Sequence, residues 1–246
     1  MVAHGTIRRQ VDGQGGCAAV WPGRAWRPVT DDSLSPARRL TRANYDRLSR
    51  FYDLMAGWSE KPARDAALRA LKPQPGESLL EVGAGTGLCL GALSGGVGAV
   101  GRVTGLDLST GMLAVAAGKR TGARLVCDDA TALPFRDGVL DGVVSTFTLE
   151  LFPEAEIPRF LAECRRVLKP GGRLCVASLS ARGPDTWVRR GYAWSHRVFP
   201  GVVDCRPIPV EEVVQGAGFA DVSAAPVPLF GLQVDVVVGW VSGSLT

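Results

Sequence analysis

From Ser35 to about Leu71 the apolar residues recur at helical spacing: Leu48, Phe51, Tyr52 and Met55, then Ala66, Ala67, Ala70 and Leu71. That period predicts amphipathic helices, and the KPQPG run at 72–76 ends them. Beyond it, short apolar runs alternate with helical stretches. Residues 78–82, 102–106, 123–127, 141–145 and 173–178 read as strands. Residues 88–93, 109 or 110 to 117, and 156–168 read as helices, the second capped by the Ser109 or Thr110 hydroxyl and the third stopped by KPGG. Residues 218–240 read as two further strands around PVPLFG. Strand alternating with helix predicts an α/β chain: a Rossmann-like, doubly wound, mostly parallel sheet with helices on both faces. Such sheets bind ligands at the carboxyl ends of their strands, so the residues just past each strand are where chemistry is sought.

Length, charge and cysteine content narrow this picture. A chain of 246 residues suits one α/β domain with additions. With 46% apolar residues, and no run of the roughly twenty needed to cross a bilayer, a cytoplasmic protein is expected. The net charge is +4 without a basic block, so no nucleic-acid partner is expected. The six cysteines show no C-x-x-C spacing and several sit in apolar runs, which suits a reducing compartment. His4 and His196 are the only imidazoles, so no metal site is expected. Residues 1–34, rich in glycine and arginine, read as a disordered tail, a targeting segment or a mis-called start. The domain would then span 35–246, with 35–76 as an N-terminal helical cap and 180–214 as an insertion.

The glycine-rich turn LLEVGAGTGLCL, residues 79–90, lets backbone approach a ligand where the next helix offers unpaired N–H groups. A dinucleotide loop wants its third glycine at position 88, which here is Leu88. Asp107 ends the second strand about twenty residues on, where a carboxylate can accept from ribose hydroxyls. Asp129 and Ala130, after the third strand, could meet an adenine through a carboxylate and an N–H. A dinucleotide, another nucleoside, or an empty structural turn all remain open at this point.

Taken together, LLEVGAGTG, VTGLDLSTGML, DDATALPFRDGVLD and VLKPGGRLCVAS, in this order and spacing from about Tyr45 to Ser178, resemble the class I S-adenosylmethionine-dependent methyltransferases. Through YDRLSRFYD and LPF the chain is most similar to the ubiquinone/menaquinone C-methyltransferases and the related phospholipid N-methyltransferases. The resemblance implies a seven-stranded sheet closed by an antiparallel hairpin, and S-adenosyl-L-methionine as cofactor. It implies that Glu81, Gly83, Ala84, Gly85 and Gly87 surround the methionyl and ribose side. Asp107 would hold the ribose, Leu108 and Met112 would pack on adenine, Asp129 and Ala130 would complete that site, and Thr146 would lie near the reactive end. Tyr45 and Tyr52, two helical turns apart, share a face, and the resemblance implies that one closes over the cofactor.

Methyl transfer from a sulfonium needs alignment and exclusion of water more than a base. The 180–214 insertion gathers Trp187, Tyr192, Trp194 and Phe199 around His196, which suits a small aromatic, quinol-like or lipid-like acceptor. His196 is the candidate base, with Tyr52 a second catalytic candidate, while Asp204 and Arg206 could orient an acceptor or pair with each other. The alternatives are a phospholipid or amine N-methyltransferase, a secondary-metabolite O- or C-methyltransferase, and a non-catalytic cofactor-binding regulatory module. An NAD-dependent oxidoreductase fits least. The apolar GLQVDVVVGW, residues 231–240, could be central in the sheet or offer a homodimer or peripheral membrane contact.

Overall fold

The structure is a computed structural model that describes residues 30, 33–55, 57–182 and 206–243. It opens with α1 (Pro36–Leu48), the short α2 (Tyr52–Met55) and α3 (Lys61–Leu71). The alternating part follows: β1 (Ser78–Val82), α4 (Leu90–Val97), β2 (Arg102–Asp107), α5 (Thr110–Gly118), β3 (Arg124–Cys127), β4 (Leu140–Thr146), α6 (Ile157–Val167) and β5 (Leu168–Leu179). After α7 (Val210–Gly216), β6 (Ala220–Leu229) and β7 (Leu232–Trp240) close the chain. The sheet has 7 strands in the order β3-β2-β1-β4-β5-β7-β6. β1 to β5 pair in parallel, and β7 runs antiparallel to both β5 and β6. Strand order reverses between β1 and β4, which opens a crevice at their carboxyl ends.

Both faces of the sheet are covered, which is why its central strands read as continuous apolar runs. On one face Leu80, Val82, Leu174 and Val176 pack with Phe160, Leu161 and Cys164 of α6 and Val210 and Val214 of α7. On the other, Leu79, Cys175 and Ala177 pack with Ala63, Ala67 and Leu71 of α3 and Leu90 and Leu93 of α4. Neighbouring residues of β1 and β5 thus go to opposite faces, the period-two rule of a strand.

At the amino ends of the strands, buried Arg173 fastens the layers. Its guanidinium bridges Glu77 at 2.7 and 2.8 Å and donates to the carbonyls of Leu71 and Lys72 at the end of α3. Asp141 accepts from the Ser78 N–H at 2.8 Å and pairs with Lys169 at 2.6 Å. Burial alone would raise both acids, but hydrogen bonds from Arg173 and Gln74 to Glu77, and from Lys169 and Ser78 to Asp141, hold each below its ordinary value.

Some element boundaries differ from expectation for local reasons. α4 starts at Leu90 because the chain from Ala84 to Gly87 is taken up by a turn closed by Gly87 N–H donating to the Ala84 carbonyl. KPGG does not separate α6 from β5: the strand starts at Leu168, and the pairing shifts between Leu140–Leu168 and Gly142–Arg173 to absorb it. PVPLFG is not all turn. Pro226 and Pro228 lie within β6, and Phe230 and Gly231, at φ 49 and 82, make the hairpin turn. Proline is tolerated there because β6 is an edge strand, where a missing N–H costs no ladder bond. β7 lies between β5 and β6 with Val234, Val236, Val237 and Val238 buried, so GLQVDVVVGW takes the central place and is covered by the protein itself. Among the described residues no helix is long and apolar enough to cross a membrane.

Candidate cofactor and acceptor site

The crevice between β1 and β4 continues into a cavity partly open to solvent. Its floor is Val82, Gly83 and Gly85 after β1. One wall is Leu106, Asp107, Leu108 and Ser109 from the end of β2, with Met112 of α5 and Asp128 and Ala130 after β3. The opposite wall is Phe147, Thr148, Leu151 and Phe152 after β4. The roof is Arg38, Thr41, Arg42 and Tyr45 of α1 with Tyr52 of α2. Gly83 cannot be replaced quietly: its φ is 71, and a Cβ would stand 2.0 Å from Thr148 Oγ1.

Asp107 holds this geometry. Its Oδ2 accepts from the Gly85 N–H and its Oδ1 from the Ser109 N–H, both at 2.8 Å, which ties the glycine turn to the start of α5. Each oxygen keeps acceptor capacity. Burial, aided by the Asp46 carboxylate, raises the Asp107 pKa against the pull of those N–H bonds. Beneath the turn, Glu81 is buried and its Oε2 has no hydrogen-bond partner. Burial pushes Glu81 up to about 8, Asp107 adding to the shift and a hydrogen bond with Cys89 opposing it. Thr146, also buried, hydrogen-bonds Cys89 from below.

The repeated Tyr-Asp of YDRLSRFYD divides its work. Tyr45 and Tyr52 line the cavity with ring centroids 5.9 Å apart. Asp46 and Asp53 fasten the roof to the sheet. Asp46 Oδ1 accepts from Ser109 Oγ at 2.5 Å and from the Gly111 N–H at 2.9 Å, while Asp53 accepts from Thr86 Oγ1 of the glycine turn and pairs with Lys119 at 2.6 Å. Arg38 makes a third fastening: it pairs with Asp129, and its guanidinium lies 5.0 Å over the Phe152 ring.

Residues 80–176 match the family model described as "Methyltransferase domain". The chain is similar to the ubiquinone/menaquinone biosynthesis C-methyltransferase of Methylobacterium nodulans, 34% identical over 178 residues, 69% of each chain. This is a class I S-adenosylmethionine-dependent methyltransferase family member. The demethylmenaquinone methyltransferase of Clavibacter sepedonicus is 38% identical over 166 residues, 65% of each chain, so the match spans just under two thirds of that relative. Among solved structures, the S-adenosylmethionine-dependent methyltransferase of Thermotoga maritima superposes with TM-score 0.61 at 20% identity, over 81% of this chain and 98% of that one, a likeness of fold.

Of the positions the family resemblance singles out, Tyr45, Tyr52, Gly83, Gly85, Asp107, Leu108, Met112 and Ala130 meet on the cavity wall. Glu81, Ala84, Gly87 and Thr146 stand behind it, and a Cβ on Gly87 would press on Ala116 of α5 at 3.1 Å. Asp129 sits between two lining residues and is engaged within the chain. Its Oδ1 accepts from Arg38 and from the Thr131 N–H and hydroxyl, bonds that outweigh its burial and hold its pKa below the ordinary value. Asp128 lines the cavity beside it. Asp129 caps the short turn of residues 130–132, a role its place before Ala-Thr-Ala already signalled. Arg38, Thr41 and Arg42 escaped the sequence reading because they are polar. Their spacing with Tyr45 is nonetheless one helical stripe. His196, Trp187, Tyr192, Trp194, Phe199 and Asp204 lie outside the described residues. Arg206 donates to the Phe152 carbonyl at 3.1 Å, behind the aromatic wall.

The cavity fits the family's cofactor. Gly83 and Gly85 leave backbone open beside a buried, unpartnered Glu81 oxygen, Asp107 has acceptor capacity for two hydroxyls, and Leu108 and Met112 offer an apolar slot. A nucleoside, with its hydroxyls on Asp107 and its base in the apolar slot, is what such a surface accepts.

Proposed function

We propose that this chain catalyses methyl transfer from S-adenosylmethionine to a carbon of a small quinol-like, ring-bearing acceptor. The carrying observation is that one cavity combines the ribose-type carboxylate Asp107 with an aromatic lining of Tyr45, Tyr52, Phe147 and Phe152. The names of the demethylmenaquinone relatives support the same class of acceptor. When bound, the cofactor supplies a methyl group activated by its sulfonium. Asp107 would orient the nucleoside, and the α1–α2 roof would exclude water while the aromatic wall aligns a flat ring. A quinol reacts through carbon most readily as its phenolate. Tyr52 Oη donates to Glu60 Oε1 at 3.5 Å, and burial pushes Glu60 up to about 7, with Arg64 opposing and Glu150 adding to the shift. Tyr52 is therefore placed to pass an acceptor proton toward Glu60 near neutral pH. His196 stays a proposal from its sequence neighbourhood alone.

The test is transfer of a labelled methyl group to a reduced demethylated naphthoquinone with an isoprenoid chain, run beside phosphatidylethanolamine. Label on the ring carbon is expected. Label on the amine instead selects N-methylation. Tight cofactor binding with no labelled product, in these assays and in a cell extract, points to the regulatory module.

A further inference from the structure

The roof has a second face. While Arg38, Thr41, Arg42, Tyr45 and Tyr52 look into the cavity, α2 and the turns on either side of it leave Phe51 64%, Leu54 85% and Trp58 75% exposed. Phe230, at the tip of the β6–β7 hairpin, is 62% exposed and its ring lies 5.4 Å from that of Trp58, so the patch joins two distant parts of the chain. Large apolar side chains gathered like this on a surface mark a contact.

Charge says with what. The acids of this segment are all engaged within the protein: Asp46 by Ser109 and Gly111, the part-exposed Asp53 by Thr86 and Lys119, Glu60 by Tyr52 and Arg64. Arg47 and Arg50 are exposed and make no ion pair among the described residues. The outer surface is therefore aromatic and aliphatic with cationic flanks, and each acid of its own segment is already paired or hydrogen-bonded. A second copy would suit it poorly, because a twofold contact sets each patch against itself and brings like charges together. An interface of anionic headgroups over acyl chains matches both features.

We propose that Arg47, Arg50, Phe51, Leu54, Trp58 and Phe230 form a docking surface for an anionic lipid bilayer, placing the roof of the cavity at the membrane. This goes beyond the choice of acceptor, and its test reads binding alone. The full chain is sedimented with vesicles of phosphatidylcholine, with and without phosphatidylglycerol. Binding to the phosphatidylglycerol vesicles is expected, weakened about tenfold as salt is raised from about 0.05 to about 0.5 M. The Phe51→Ser/Leu54→Ser/Trp58→Ser variant should lose about tenfold or more at either salt. Arg47→Glu/Arg50→Glu should lose the preference for anionic vesicles. Calorimetry with S-adenosylmethionine should show unchanged affinity in both variants, showing that the fold is intact. No vesicle binding, equal binding to neutral vesicles, or binding unaffected by the triple variant overturns the proposal. So does a vesicle-free dimer that the triple variant converts to monomer, since a second copy would then own the surface.

Discussion

The two ends of the sheet use the same residue types to opposite effect. At the amino ends, Glu77 and Asp141 meet Arg173 and Lys169, and their pKa values are held below the ordinary carboxylate range. At the carboxyl ends, Asp107, Glu81 and Glu60 are raised, because burial there outweighs the opposing hydrogen bonds and the pull of Arg64. One end is electrostatically closed, and the other keeps acceptor capacity for something the chain does not itself provide. Raised carboxylates gathered at a crevice are the physical mark of a binding site, and lowered ones in ion pairs mark a fastening.

The sharpest way to break this contrast is Arg173→Ala. It strands Glu77 and the carbonyls of Leu71, Lys72 and Asp141, so chemical denaturation should show a loss of about 2–4 kcal/mol, with cofactor affinity of the folded protein unchanged. A large loss of affinity with little loss of stability would mean the two ends are not separate in role. Asp107→Ala is the reverse experiment: calorimetry should show S-adenosylmethionine binding weakened about 10- to 100-fold. Unchanged affinity would remove Asp107 from the ribose role.

A smaller effect lies in pH. Glu60 and Glu81 keep a proton in the folded state up to about 7 and about 8, while the unfolded chain releases it near 4.5. The folded state binds more protons across that window, so their contribution is fully present below it and is lost as pH rises through it. The lowered Glu77 and Asp141 act oppositely, stabilising above their unfolded values and losing that contribution as pH falls. Urea midpoints from about pH 5 to about pH 9 should decline, and Glu81→Gln should flatten the decline; a steady rise would contradict the raised pair. The smallest effect is Tyr52→Phe, which removes one hydroxyl. Cofactor affinity should fall about threefold without a change in stability; an unchanged affinity would remove Tyr52 from cofactor binding and leave its packing on Tyr45 and its proton path to Glu60, which turnover reads.

Much of the architecture was legible because the central strands are buried on both faces and the turns carry glycine and proline. The antiparallel closing pair came with the family resemblance, while the extent of β6 was hidden by its prolines, which look like a turn until the strand is known to be an edge. In the site, the glycine turn, Asp107, Leu108 and Met112 were legible because strand ends and the helix after them fix where they point. Asp129 is engaged by its capping bonds to Thr131 and by Arg38, a partner that its sequence neighbourhood does not announce. The roof arginines and Thr41 were missed because a search for apolar period passes over a polar stripe that faces a cavity.

The prolines of β6 have a consequence for how this molecule meets its own copies. A sheet grows by adding strands to its edges, and each edge here is a poor template. β3 has only 4 residues, and β6 carries Pro226 and Pro228, which have no N–H to offer an incoming strand. Crowded copies of the folded protein are thus kept from zipping together through their sheets.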